Sequence, residues 1–565
     1  MGTLSEWEKE IPAPRLIREP YVKLRAATGR LFRNPVFIVA LVAAVLLAAF
    51  LLRLDAAQRL VIALGSRAKG SPLNAEVWHG RFERWGLALV TSPLFILFLL
   101  YAARMRLCPE GKRKTFDFVF LCSAYVIWLV FAGYTGLRHE PWMDELFVYV
   151  KARDLSVAQL LADVKVDGNF ALWSILLSPL VKAGCPVEIL TCVSFGLCAV
   201  IVLLLFTKSP FSVYEKAAFA FTTAVSYHYP VVSRPYILFA LLTFLLASLW
   251  EKRTEHPLLT GTLIALMAHT HLYAEGFVGI LTLYILIYDI IIPWKTLGTK
   301  DKRRRLTGLA LACLGVLLAA ILVVPAVWTS DVVSGNSGRM DLNLKAFFSN
   351  WIWEDLSEDG IPVAIVLVCL SVCLFYKSRS MFCVFAAAFA YMLFFHIFIY
   401  FAGVPNRGSM WLFILVFTFW NALRKNGGGR PVLPLLLLFV IAIRPSWNFR
   451  DWEEEYSGEK HAGAYIVKTI AKDETLYTMG TNLFSVYTEG YDVKSIAPLY
   501  ASAAELDKSL DGVFSRTQAG SCVLVLSKAR TAGFTYPEAY RWEELYQSPD
   551  IMAQIFQFSV LRVYR

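Results

Sequence analysis

A series of apolar runs, each about 15–22 residues long and separated by clusters of Lys and Arg, constrains this chain more than any other feature. They lie near 34–53, 86–104, 116–137, 187–207, 215–230, 236–250, 258–272, 275–293, 306–328, 361–376, 381–402, 409–422 and 431–444. Runs of that length match the hydrocarbon core of a bilayer, where backbone groups must be satisfied within the segment, so each reads as a helix. Over 565 residues, 57% are apolar and 18% charged, and the mean hydropathy is +0.53. A single large core cannot produce those values; many segments must have lipid as their solvent. That excludes a water-soluble enzyme, a fibrous protein and a disordered chain.

The formal charge of +11 does not indicate nucleic acid. The basic residues form no stripe with interleaved aromatics. They fall instead between the apolar runs, at Lys23–Arg33, Arg104–Lys114 and Lys300–Arg305, as the positive-inside rule leaves them on cytoplasmic loops. Cysteines follow the same logic. Seven of the ten lie inside apolar runs and no CxxC occurs, so no disulfide framework is expected.

The basic clusters also orient the chain. Counting 170–184 as a span would move the 300–305 cluster outside; treating it as a helix lying along the outer leaflet keeps every cluster in the cytoplasm. The expected fold is an all-α polytopic membrane protein of about 13 transmembrane helices, with the N-terminus inside and a small α/β domain outside. Its expected parts are a cytoplasmic segment (1–33), two additional spans (34–115), a transmembrane core (116–445) and an extracytoplasmic domain (446–565). In that last part ETLYTMG (474–480), CVLVLS (522–527) and FSVLRVYR (558–565) read as strands, and GAYIVKTIAK (463–472) as a helix. It has no GxGxxG or P-loop.

Charge at membrane depth is costly, so charged residues gathered at span ends on one face are where chemistry is expected. On the outer face this topology collects Asp144-Glu145, Asp167-Gly168-Asn169, Arg234-Pro235-Tyr236, the hairpin containing His269, His271, Tyr273 and Glu275, and Asn406-Arg407. Each has a plain alternative. An Asp-Glu pair after a span is also what a solvated loop carries, and Arg234 and Arg407 can snorkel to headgroups. The i, i+2 spacing of His269 and His271 argues against a zinc site. Asp163 and Lys165 read as solvated loop charges. The chemistry that would use the set is sugar transfer from a lipid-linked donor: a carboxylate as general base on the acceptor, and arginines on the departing phosphate.

The stretch PWMDELFVYVKARDLS…VDGNFALWSILLSPLVKAG, Pro141 to Gly184, resembles the first outer loop of the C-superfamily (GT-C) membrane glycosyltransferases. In the protein O-mannosyltransferases and lipid A aminoarabinose transferases this loop begins with Asp-Glu and runs into a helix lying against the membrane. SRPYILFALL (233–242), HTHLYAEGF (269–277) and NRGSMWLFILVF (406–417) resemble later signals of the family in the same order. The resemblance spans roughly 115–420. It implies Asp144 as catalytic base with Glu145 as its partner. Asn169 stands where the family usually has His or Lys, and Phe170 and Ala171 replace its two prolines. The implied function is an inverting glycosyltransferase that moves a sugar from a polyprenyl-phosphate donor to an extracytoplasmic glycan, lipid or protein acceptor. Arg234, Arg407 and Tyr236 are the candidate lipid-phosphate ligands, and Asn169, His269, His271 and Tyr273 further site residues. No cofactor or metal and no nucleic-acid partner are expected, and a multi-pass protein of a bacterial inner or plasma membrane is. A transporter or flippase of lipid-linked glycans, or a glycan polymerase or ligase, stays open as an alternative; the transporter would call for midplane charges or broken helices in two related halves.

Overall fold

The computed structural model describes residues 113–167, 170–329, 361–398, 408–425, 432–443, 446–453, 457–479, 486–497, 503–517, 520–527, 537–548 and 558–565, together with Arg59, Ile62, Ala63 and Ser66. The expected spans at 34–53 and 86–104 lie outside these residues, as do Asn169, Asn406 and Arg407.

Among the described residues five helices are long and apolar enough to cross a membrane: Lys114–Arg138, Ile189–Lys208, Leu272–Ile291, Thr299–Pro325 and Arg379–Phe398. They belong to α1 (Arg113–Arg138), α5 (Ile189–Lys208), α9 (Leu272–Tyr284, continued by a π-helical stretch to Ile291), α10 (Thr299–Thr329) and α12 (Arg379–Phe398). Between α1 and α5 run three short helices, α2 (Met143–Asp154), α3 (Val157–Asp167) and α4 (Leu172–Lys182). The 11 residues of α4 rise only about 16 Å, too little to span, in keeping with a helix that lies along a surface.

The run expected as one span at 215–230 is broken. It contains α6 (Val213–Ala220), a turn, and a π-helical turn at Ala224–His228. The hydropathy of the run is blind to that break. Residues 216–240 are buried throughout, so the interrupted backbone is enclosed in protein and not presented to lipid. From there α7 (Tyr236–Leu249), α8 (Pro257–Ala268), α11 (Ile361–Lys377), α13 (Met410–Lys425) and α14 (Leu433–Ile441) complete the apolar body.

Two kinds of packing hold this body together. Aromatics fill its centre: Phe219, Phe244 and Phe413 have ring centroids 5.7 Å apart, and Trp420 lies 5.6 Å from Phe244. Small residues let α8 and α10 touch backbone to backbone, since a Cβ on Gly261 would stand 2.0 Å from the Gly308 carbonyl oxygen.

A connector helix, α15 (Ser446–Glu453), leads to the C-terminal sheet domain. There α16 (Glu459–Thr469) and α17 (Ala503–Thr517) flank a five-stranded sheet of order β2-β1-β3-β5-β4, formed by β1 (Leu476–Met479), β2 (Val493–Ala497), β3 (Ser521–Ser527), β4 (Arg541–Gln547) and β5 (Phe558–Tyr564). The first three strands are mutually parallel, and β5 runs antiparallel to β3 and β4. Period-two alternation in β3 explains both faces. Cys522, Leu524 and Leu526 pack with Leu510 and Phe514 of α17, while Val523 and Val525 pack with Ala462 and Ile466 of α16. The strands expected at 474–480, 522–527 and 558–565 and the helix at 463–472 are all present.

Candidate active site

The site is built where α1 ends. Beyond Arg138 the chain turns through His139-Glu140-Pro141-Trp142 and starts α2 with Asp144 and Glu145 in its first turn, where the helix dipole favours negative charge. Glu145 is fully buried and closes the helix start by accepting the Trp142 N–H at 3.2 Å. Its other oxygen accepts the Ser233 N–H at 2.6 Å, which ties α2 to the segment leading into α7. His139 bridges Glu145 and Asp451 of α15: its Nε2 is 3.1 Å from Glu145 Oε2 and its Nδ1 is 2.8 Å from Asp451 Oδ2. Burial opposes a charge on the ring, but the carboxylates of Asp451 and Glu145 outweigh it and raise the pKa of His139 to about 10.

Asp144 points the other way, into a cleft of about 510 Å³ (open mouth included) between α2, α3, α4 and the head of α7. Its Oδ2 is 2.6 Å from Arg234 Nη1; the Asp144 side chain is 32% exposed and that of Arg234 only 10%. Along the same wall Lys151 pairs with Asp163, and its ammonium lies 4.1 Å from the centre of the Phe147 ring. Asp163 is therefore a helical, ion-paired residue lining the cleft and not a solvated loop charge. Trp173 also lines the cleft, and its buried indole N–H meets no acceptor among the described residues.

The third component is the hairpin between α8 and α9. His271 caps α9 by accepting the Tyr273 N–H on Nδ1 at 3.1 Å, so its proton sits on Nε2. Its ring lies 4.8 Å from Tyr236 and 5.3 Å from Tyr273. Tyr236 in turn lies 5.8 Å from the Arg234 guanidinium carbon. Asp144, Arg234, Tyr236, His271 and Tyr273 thus form one continuous line of contacts. Tyr236 and Tyr273 are buried behind Arg234, so their part is to back it and not to face solvent. His269 stands apart, edge-on to Phe170 at 6.2 Å.

Of the site residues singled out from the sequence, Asp144, Arg234, Tyr236, His271 and Tyr273 therefore come together, whereas His269 does not. The sequence reading missed His139, Asp451, Lys151 and Trp173. His139 is adjacent to the Asp-Glu stretch and carried a local signal, a titratable residue at a span end; Asp451 carried none, lying 312 residues from its partner. Among the described residues no group of three His, Cys, Asp or Glu side chains is placed to hold a metal ion. Chemically, the cleft wall offers a partly exposed carboxylate and two cations.

No family model matches the sequence, and no curated protein matches it. The solved structures similar to the chain include two of one protein. One is ArnT from Cupriavidus metallidurans bound to undecaprenyl phosphate, at 12% identity and a TM-score of 0.45, covering 80% of this chain and 98% of that one. The other is the same ArnT in the apo state, at 12% identity and a TM-score of 0.42 over the same shares of both chains.

Proposed function

We propose that this protein is a membrane glycosyltransferase of the GT-C type that moves a sugar from a polyprenyl-phosphate donor to an acceptor outside the cytoplasm. The observation that carries the reading is the Asp144–Arg234 contact at the cleft wall, which sets a base and a phosphate ligand side by side. Arg234 suits a phosphate because its planar fork donates two parallel hydrogen bonds. Asp144 suits a base because a third of its side chain remains open to an incoming hydroxyl or amine.

In the reaction the acceptor atom attacks the anomeric carbon while the bond from that carbon to the phosphate oxygen breaks. The electron pair leaves with the polyprenyl phosphate, whose second negative charge meets Arg234. The acceptor's proton passes to the Asp144 carboxylate. Attack opposite the leaving phosphate inverts the anomeric centre. Arg234 is held by Asp144, so the donor phosphate competes with the carboxylate for the guanidinium and frees Asp144 as it enters. Arg407 remains a second candidate phosphate ligand, and Asn169 a candidate sugar contact.

The test uses the full chain, purified and placed in lipid vesicles with a panel of undecaprenyl-phosphate sugars. Release of undecaprenyl phosphate together with sugar transfer supports the proposal. Transmembrane movement of the intact lipid-linked sugar without cleavage would favour the transporter reading instead.

A further inference from the structure

We infer that Asp451 and His139 are positioning residues for the Asp144–Arg234 pair, so that the connector helix α15 sets the geometry of the site. This inference rests on the reading that Asp144 and Arg234 act on the donor. Glu145 is its pivot. One carboxylate oxygen holds the backbone of Ser233, the residue before Arg234; the other holds the N–H of Trp142 at the start of the helix that carries Asp144. A shift of Glu145 therefore moves both members of the pair.

Glu145 is held in place by His139, and His139 by Asp451. The three side chains are 0%, 0% and 1% exposed, so water does not compete for these bonds. A carboxylate can only accept, and both ring nitrogens of His139 face carboxylate oxygens, so both carry a proton and the ring is an imidazolium between two anions. Besides the two carboxylates, the ring of Tyr227 stands 6.5 Å from that of His139.

The far end of this chain is fixed to the membrane body. Asn448 donates to Thr135 Oγ1 at 3.1 Å and to the Ser226 carbonyl at 3.0 Å, and Trp452 Nε1 donates to the same Thr135 oxygen at 3.0 Å. Trp447 packs on Tyr227 and His228 at 5.8 and 5.5 Å. Beyond α15, His461 of the sheet domain reaches Glu140, the neighbour of His139, at 3.4 Å. The C-terminal part of the chain thus reaches the reacting residues through one buried relay.

The test compares Asp451→Ala and Asp451→Asn with the parent full chain in lipid. A displacement of Asp144 on the order of 1 Å lowers transfer by about 100-fold, so Asp451→Ala is expected to lose turnover on that scale. Asn keeps an acceptor for His139 and should recover part of the loss. Affinity for undecaprenyl phosphate should weaken alongside turnover in Asp451→Ala and recover in Asp451→Asn, because Ser233, and with it Arg234, moves with Glu145. A helix staple with no bearing on the site would lower thermal stability and leave turnover of the folded fraction unchanged, and that result overturns the inference. Nitrogen NMR of 15N-histidine-labelled protein reads the relay without any assay. A doubly protonated ring at pH 8, absent in His139→Gln, supports it; a neutral His139 overturns it. Should the parent transfer no sugar, the reading of the site fails, and the nitrogen spectrum still decides whether a charged His139 holds Glu145.

Discussion

Arg234 Nη1 lies 2.6 Å from Asp144 Oδ2, and this contact joins the first turn of α2 to the residues that open α7, 90 positions further along the chain. On the proposed reading the donor phosphate takes this guanidinium over from Asp144. Replacing Arg234 with Ala is expected to weaken undecaprenyl phosphate binding by about 10- to 100-fold, the range of a hydrogen bond to a charged group. Calorimetric titration of the variant in detergent measures it. Unchanged affinity would leave Arg234 as a structural partner of Asp144 only.

His139 predicts a pH dependence whose sign is fixed by its surroundings. The folded protein holds the His139 proton up to about pH 10, while an unfolded chain releases it near 6.5. The stabilisation linked to that proton is complete below about pH 6.5, declines between the two values and is gone above about 10. The stability gap between the parent and His139→Gln should accordingly narrow from pH 7 to pH 10 in thermal unfolding. A gap that is constant across that window would mean that the ring is not charged.

Five of the expected spans could be read from the chain because lipid imposes one rule on a spanning segment, whereas the break within 215–230 could not, because hydropathy does not register it. The sheet domain could be read in part, since CVLVLS has a clear period of two, whereas β4, RWEELYQ, is an exposed strand with no apolar face to announce it. That Asp144, Arg234 and His271 lie together could be anticipated because each is a polar residue at the end of an apolar run. Asp451 could not, because its significance comes wholly from a pairing made by tertiary structure. Asp163 was misread for a different reason: a charge on a short helix lining a cleft looks, in sequence, the same as one on a solvated loop.

Packing supplies a prediction independent of function. A Cβ on Gly308 would stand 2.3 Å from the Pro257 carbonyl oxygen, and the obstructing atom is backbone that cannot rotate away. Gly308→Ala should therefore push α8 and α10 apart at a cost of about 1–3 kcal/mol. Thermal unfolding in detergent tests it, and an unchanged midpoint would show that the two helices are not in backbone contact.

Topology is tested with cysteines at two exposed positions, Lys508→Cys in α17 and Thr299→Cys at the start of α10. The distribution of Lys and Arg clusters puts the first outside and the second in the cytoplasm. An impermeant thiol reagent on intact cells should label 508 above the parent background and leave 299 untouched. The reverse pattern would invert the protein and move the cleft to the cytoplasmic face.

The central claim, that Asp144 is the base, is decided by purified Asp144→Asn in lipid, assayed for sugar transfer and separately for undecaprenyl phosphate binding. Asn keeps the shape and polarity of Asp but cannot take a proton, so transfer should fall by about 10²–10⁴-fold. Binding should hold or tighten, since Arg234 loses the carboxylate that competes with the phosphate for it. Near-normal turnover in the folded variant would contradict the account and remove Asp144 from the mechanism.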